Sequence, residues 1–140
     1  MIKKVYGAKL SREKASRGAL FISLVENLVL TGSIKTTKQK AKAIIGMVDN
    51  LVVLAKKETL FSKRQVLKKL RGNKTVATKL WNEVAKTFEK RNSGFTRIVP
   101  LLQRKGDLAQ MVKLEWVEQV PSSKTKEDKK LNDQATKKTK

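Results

Sequence analysis

Residues 95–117 read FTRIVPLLQRKGDLAQMVKLEWV. In the second half Val112, Leu114 and Trp116 alternate with Lys113 and Glu115. That is the period of a strand with one face buried and the other in water. Phe95–Leu102 and Gln110–Val117 therefore read as strands, and Gln103–Ala109, with its Gly106-Asp107, as the hairpin loop between them. Pro100 cannot donate to a ladder, so the first strand lies at an edge or carries a bulge there. Gly94 allows the chain a close turn into this strand, and Phe95 reads as core in preference to a base-stacking ring.

Upstream the period is helical. From residue 10 to 31, Ala15, Ala19, Phe21, Ile22, Val25, Leu28 and Val29 recur mostly at spacings of three and four. Ser11 is the expected N-cap and Gly32 the C-terminal cap. Ser33–Thr37 is short and β-branched, an extended segment or strand. Thr37 is placed to cap a helix over Lys38–Lys57 with Ala41, Ile44, Ile45, Val48, Leu51, Val52 and Ala55 inward. A shorter helix is expected around Lys63–Leu70 behind Ser62 as its cap. Gly72-Asn73 breaks it, and Asn73 caps a further helix to about Phe88, with Val76, Ala77, Leu80, Trp81, Val84 and Ala85 on its stripe. Trp81 and Trp116 fall at apolar-stripe positions and read as core. After Pro121 the pattern collapses: residues 122–140 hold Leu131 and Ala135 as their apolar residues among seven Lys and three acids. Such a segment is expected to be a disordered tail, because it cannot bury enough surface to order itself.

The 140 residues leave room for one domain, and 39% hydrophobic content allows a modest core. There are 33 Lys+Arg against 12 Asp+Glu, a formal charge of +21. Soluble small domains usually carry a net charge of magnitude about 2–8. Self-repulsion at the higher level destabilises a compact monomer, so a polyanionic partner is the first expectation. The sequence has no Cys and no His. A disulfide framework, a thiol nucleophile, a zinc ribbon and a Ser-His-Asp triad are thereby excluded. Ser11, Ser16 and Ser23 have no base to activate them. Walker, GxGxxG and acidic metal-binding patterns are missing too. These features point away from an enzyme and from any cofactor, metal or small-molecule substrate. No apolar run approaches the roughly 20 residues that span a bilayer, so no membrane association is expected.

Basic clusters alternate with the apolar segments. The first is the N-terminal run of Lys3, Lys4, Lys9, Arg12, Lys14 and Arg17, which suits phosphate binding through counterion release. Tyr6 among them could stack on a base. The second is Lys35-Thr36-Thr37-Lys38 with Lys40 and Lys42. Here a helix start carries lysines where acids normally sit, a conflict that a docked phosphate would relieve. A third comprises Lys63, Arg64, Lys68, Lys69, Arg71, Lys74 and Lys79, with Arg64, Lys68 and Arg71 on one helical face. The fourth places Arg91 and Arg97 on either side of Gly94, with Arg104 and Lys105 in the hairpin loop; Arg suits bidentate phosphate contact. For each cluster the plainer alternative is a solvated basic surface.

The motifs Leu10-x-Arg12-x(4)-Arg17-x-Ala19-Leu20, Ile34-x-Thr36-Thr37-x(3)-Ala41-Lys42, Leu54-Ala55-Lys56, Ser93-Gly94-Phe95-Thr96-Arg97-Ile98 and Arg104-Lys105-Gly106-Asp107 occur in order, followed by the strand Met111–Val117. From about Leu10 to Glu118 the chain resembles the family of the seventeenth protein of the bacterial large ribosomal subunit. The resemblance implies a compact α+β domain whose helices pack on a small sheet. It also implies binding to large-subunit ribosomal RNA near the outer end of the peptide tunnel, with neighbouring ribosomal proteins as further contacts. Arg12 and Arg17 match the family's arginines, Thr36, Thr37 and Lys42 its Thr-Thr motif, and Arg97 its Tyr/Phe-Thr-Arg motif. The chain departs from the family's Arg-His-Arg start with Ile2-Lys3-Lys4, and it has Ser16 for a common His and Ile22 for a common Arg. Lys cannot reproduce the planar Arg fork.

The resulting expectation is an α+β fold, with several helices packed on a small mixed sheet that includes a C-terminal hairpin. A basic arm occupies residues 1–9, one globular RNA-binding domain 10–118, and a disordered Lys-rich tail 119–140. The expected role is a non-catalytic, structural constituent of the large ribosomal subunit. The expected RNA contacts are Lys3, Lys4, Lys9, Arg12, Lys14, Arg17, Lys35, Thr36, Thr37, Lys38, Lys42, Arg91, Arg97, Arg104 and Lys105. The family-like region begins without a preceding extension, which favours a bacterial cytoplasmic ribosome over an organellar one. The rival reading is a chromosomal DNA-binding protein; against it, the basic residues are spread over many segments instead of one recognition helix.

Overall fold

The computed structural model describes residues 8–120. Lys3, Lys4 and Tyr6, most of the expected arm and nearly all of the expected tail lie outside the described residues. Within them, four helices pack with a three-stranded sheet. We number them α1 (Lys14–Thr31), α2 (Lys38–Lys56), α3 (Leu60–Lys69) and α4 (74–87), with strands β1 (Ser33–Thr37), β2 (Thr96–Pro100) and β3 (Met111–Trp116). Helices α1 and α2 lie against the strands, and α3 and α4 pack on α2.

Helix α1 begins later than its sequence suggests. Leu10 and Ser11 both adopt a left-handed φ of 51°, and the turn closes through Arg12 N–H to the Lys9 carbonyl at 3.2 Å. An N-cap needs an extended backbone, so Ser11 cannot serve. Glu13 takes that position without a side-chain bond to the helix. Ala15 and Ala19, expected inward, are exposed, and burial starts in earnest at Val25, Leu28 and Val29. The helix ends as expected at Gly32, whose φ of 81° lets its N–H reach the Leu28 carbonyl at 2.9 Å.

Helix α2 is the hub of the domain. Ala41, Ile44, Val48, Leu51, Val52 and Ala55 are all nearly sealed from solvent, and α2 touches α1, α3, α4 and all three strands. Helix α3 is capped one turn earlier than expected. Thr59 Oγ1 accepts from Ser62 N–H at 3.2 Å, while the Ser62 hydroxyl lies buried inside the first turn. Asn73 caps α4 as expected, accepting from Val76 N–H at 3.3 Å. Within α4, Leu80–Val84 form a π-helical turn in which Ala85 N–H bonds to the Leu80 carbonyl. The extra residue still leaves Leu80, Val84, Ala85 and Phe88 inward.

The strand order is β1-β3-β2, and both ladders are antiparallel. The expected mixed sheet is thus corrected. β1 and β2 do run parallel, but the hairpin folds β3 into the gap between them, so the two never pair. β2 is an edge strand, which accommodates Pro100. Bonds from Val117 N–H to the Phe95 carbonyl and from Leu101 N–H to the Met111 carbonyl, each 3.0 Å, extend the hairpin ladder to nearly its expected length.

The alternating burial of β3 and the ladder registers define two faces. Ile34, Thr36, Ile98, Val112, Leu114 and Trp116 face the helices. At the centre of the core Phe88 meets Phe95 edge-on, with centroids 5.4 Å apart, and Trp116 at 5.6 Å. Phe88 is fully buried and links α4 to both strands of the hairpin. Phe88→Ala is expected to destabilise the domain by about 3–5 kcal/mol in urea or thermal unfolding, from lost burial plus the cavity left behind.

Candidate nucleic-acid interface

Among the described residues, three groups of the expected RNA contacts reach the surface, each positioned by a different part of the fold. The first surrounds the start of α1. Lys9, Arg12 and Lys14 are exposed and Arg17 is half-buried. Arg17 Nη1 donates to the Arg12 carbonyl at 3.1 Å, which ties the helix to the turn before it. Arg71, 54 residues on from Arg17 in the sequence, joins this group. Its Nη2 lies so close to Gly18 that a Cβ built there would sit 3.6 Å from it.

The second group lies on the sheet face turned away from the described helices. Ladder register sets Lys35 directly opposite Lys113, and Arg97 opposite Glu115. Like charges so placed repel. Glu115 relieves this: its carboxylate receives Lys113 Nζ at 2.6 Å and Arg97 Nε at 2.7 Å. The Lys113 and Arg97 hydrogen bonds hold its carboxyl below the ordinary glutamate range. Lys35 is left exposed, without an ion pair among the described residues. Thr36, expected beside it as an RNA contact, occupies an inward position of β1 and is 7% exposed.

The third group lies where α2 starts beside the hairpin. Thr37 occupies the N-cap position, but its side chain makes no capping bond and no acid stands in the first turn. Lys38 and Lys42 are exposed there. Lys38 N–H donates to the Gln110 carbonyl at 3.0 Å, fixing this helix start to the base of the hairpin loop. In the loop Lys105 is exposed, whereas Arg104 is clasped by Asp107 through two hydrogen bonds, 3.1 Å from Nε and 2.5 Å from Nη2. The Arg104 bonds, with a further one from Ala109 N–H, hold the Asp107 carboxyl down at about 2.

Not every expected contact has a free charge. Arg91 donates to Glu118 at 3.3 Å and to the Gly94 carbonyl at 3.2 Å, so it braces the turn into β2. Arg97 and Arg104 are likewise paired with carboxylates. Lys113 was not among the expected contacts, and Arg71 was expected in a different cluster, not beside Arg17. The alternation of β3 marks Lys113 as outward, but only the long-range register sets it beside Lys35. Among the described residues no cluster of His, Cys, Asp and Glu could hold a metal ion, and no helix is long and apolar enough to cross a membrane.

A carboxyl lowered by folding contributes order above its ordinary value and loses it as pH falls through the folded one. The Arg104–Asp107 clasp should therefore persist at neutral pH and open as pH drops from about 4 through about 2. Carboxyl NMR titration is expected to place Asp107 near 2 and, in Arg104→Ala, to return it toward the ordinary value of 3.8.

Comparison with known proteins gives one consistent result. The family described as Ribosomal protein L17 matches residues 20–117. A "Large ribosomal subunit protein bL17" from Persephonella marina is 48% identical over 108 residues, covering 76% of this chain and 87% of the relative. The protein of that name from a Sulfurihydrogenibium species is 46% identical, covering 76% and 88%. The one from Phytoplasma mali is 39% identical, covering 79% and 98%. The matched region holds α2, α3, α4, the whole sheet and most of α1. The chain belongs to the ribosomal protein L17 family.

Proposed function

We propose that this chain is a structural constituent of the bacterial large ribosomal subunit. It binds and stabilises folded large-subunit ribosomal RNA, without turnover, and neighbouring ribosomal proteins are its secondary partners. The observation that carries the reading is family membership across the folded domain, joined to a surface where the start of α1, the start of α2 and Lys35 present cations without carboxylate partners among the described residues. The mechanism is neutralisation of phosphates and recognition of RNA shape. A position near the outer end of the peptide exit tunnel follows from the family resemblance. Lys9, Arg12, Lys14, Arg17, Lys35, Thr37, Lys38, Lys42 and Lys105 are the proposed contacts of the described surface. Lys3 and Lys4 extend the first group. Arg91, Arg97 and Arg104 reach RNA only by sharing or exchanging their carboxylate partners.

Sedimentation of a gently prepared lysate tests the role. The protein is expected to co-migrate with the large subunit and to remain there through a moderate-salt wash. Migration at the top of the gradient, or with the nucleoid, would instead support the DNA-binding reading. Arg12→Ala combined with Arg17→Ala tests the first contact group. Binding to large-subunit RNA should weaken, and the slope of log affinity against log salt should flatten by about one to two phosphate contacts. An unchanged slope would remove both residues from the interface.

A further inference from the structure

The most unusual surface of the domain lies on α3. This helix buries Ser62 and Val66 against the core and turns Phe61, Arg64 and Lys68 outward. The three follow the i, i+3, i+7 spacing of a single helical face. Phe61 is 71% exposed and the preceding Leu60 66%. The other described aromatics are used inside the protein: Phe88, Phe95 and Trp116 form the centre of the core, and Phe21 and Trp81 pack against it. Among the described aromatics, Phe21 and Trp81 are partly buried and Phe61 alone is mostly exposed.

The charge around it has one sign. The ten residues of α3, LFSKRQVLKK, include four cations and no carboxylate. Lys63 is engaged within the domain, its Nζ 5.9 Å from the centre of the Trp81 ring. Arg64 and Lys68 form no ion pair among the described residues. One turn beyond Lys68 the chain reaches Arg71, whose guanidinium lies against Gly18 of α1, next to Arg17. The stripe thus leads from an exposed ring, past two open cations, into the first group of proposed phosphate contacts.

From this we infer that Phe61 is a stacking platform for an unpaired nucleobase of the bound RNA, with Arg64 and Lys68 holding the adjoining phosphates. The inference rests on the RNA-binding role proposed above and adds a specific contact to it. Charge complementarity selects the occupant. An apolar protein segment would cover the ring but bring nothing to balance the cations beside it. A single-stranded or bulged nucleotide supplies a flat face for Phe61 and anions for its neighbours, the combination by which single-stranded nucleic acid is usually held. The hairpin loop offers a useful contrast. Leu102 and Leu108 are also exposed, at 93% and 70%, but they carry no ring, and the nearby Arg104 is already neutralised by Asp107.

The test uses the full-length chain with two probes, purified bacterial large-subunit ribosomal RNA and a fully paired RNA duplex. Phe61→Ala should weaken binding to the ribosomal RNA by about 5- to 150-fold, the usual range for losing one stacked base. Its salt slope, its affinity for the duplex and its melting temperature should stay at wild-type values. Phe61→Trp should retain affinity, and Phe61→Leu should not restore it. Replacing Arg64 and Lys68 together by Gln should flatten the salt slope by about one to two contacts. Wild-type affinity in Phe61→Ala would overturn the inference, and so would full rescue by Leu, which would mean an apolar contact without stacking. Unchanged RNA binding by Phe61→Ala, with loss of that variant from large subunits, would overturn it in favour of a protein partner at α3. Failure of the wild-type chain to bind ribosomal RNA would overturn the broader RNA-binding role, and the stacking contact with it.

Discussion

The pairing of β1 with β3 joins residues 33–37 to residues 111–115, across nearly the whole length of the domain. Closing so long a loop costs entropy, although that cost grows only slowly with length. What offsets it is the inward row the pairing completes: Ile34, Val112 and Leu114 cover α2 from one side, while α1, α3 and α4 cover it from others. Because α2 follows β1 without a linker, the same ladder also decides where α2 begins. It sets Lys38 beside Gln110 at the base of the hairpin loop. Core, sheet register and the position of one cation group thus share a single cause.

The same geometry divides the charge. In the β2–β3 region each arginine is matched to a carboxylate: Arg91 to Glu118, Arg97 to Glu115, Arg104 to Asp107. These pairs are at least partly exposed, so each adds little to global stability; their effect is to hold side chains and turns in place. The starts of α1 and α2 and the outer stripe of α3 have no such pairing among the described residues. A chain of charge +21 therefore has one region that is internally balanced and others that gain most from an external anion.

Aromatic side chains are divided in the same spirit. Phe88, Phe95 and Trp116 interlock where α4 meets the hairpin, at centroid distances that favour edge-on packing. That cluster fixes the hairpin, and with it the register that positions Lys113 and Glu115. Phe61 contributes nothing to it. Its placement on an all-cationic helix face is what distinguishes α3 from a helix that merely shields the core.

Periodicity in the sequence determined the kinds and order of elements. The stripe Ala41–Ala55, the Gly32 terminus, the Asn73 cap, the alternation of β3 and the edge position marked by Pro100 all depend on local stereochemistry, and all are found. Ser11 and Ser62 misled as caps because the choice among neighbouring polar residues is made by backbone conformation and by what packs above them: two left-handed residues at Leu10 and Ser11, and burial at Ser62. The family motifs and the charge marked the molecule as basic and ribosomal in type. They could not separate Thr36, which faces the core, from Thr37, nor show that Arg97 and Arg104 are neutralised. Those distinctions depend on strand register and on carboxylates that residue spacing alone does not pair. Composition and pattern, being local properties, are set by the sequence alone. Which cations stand together and which remain open is decided by tertiary structure, because charge interaction depends on distance through space.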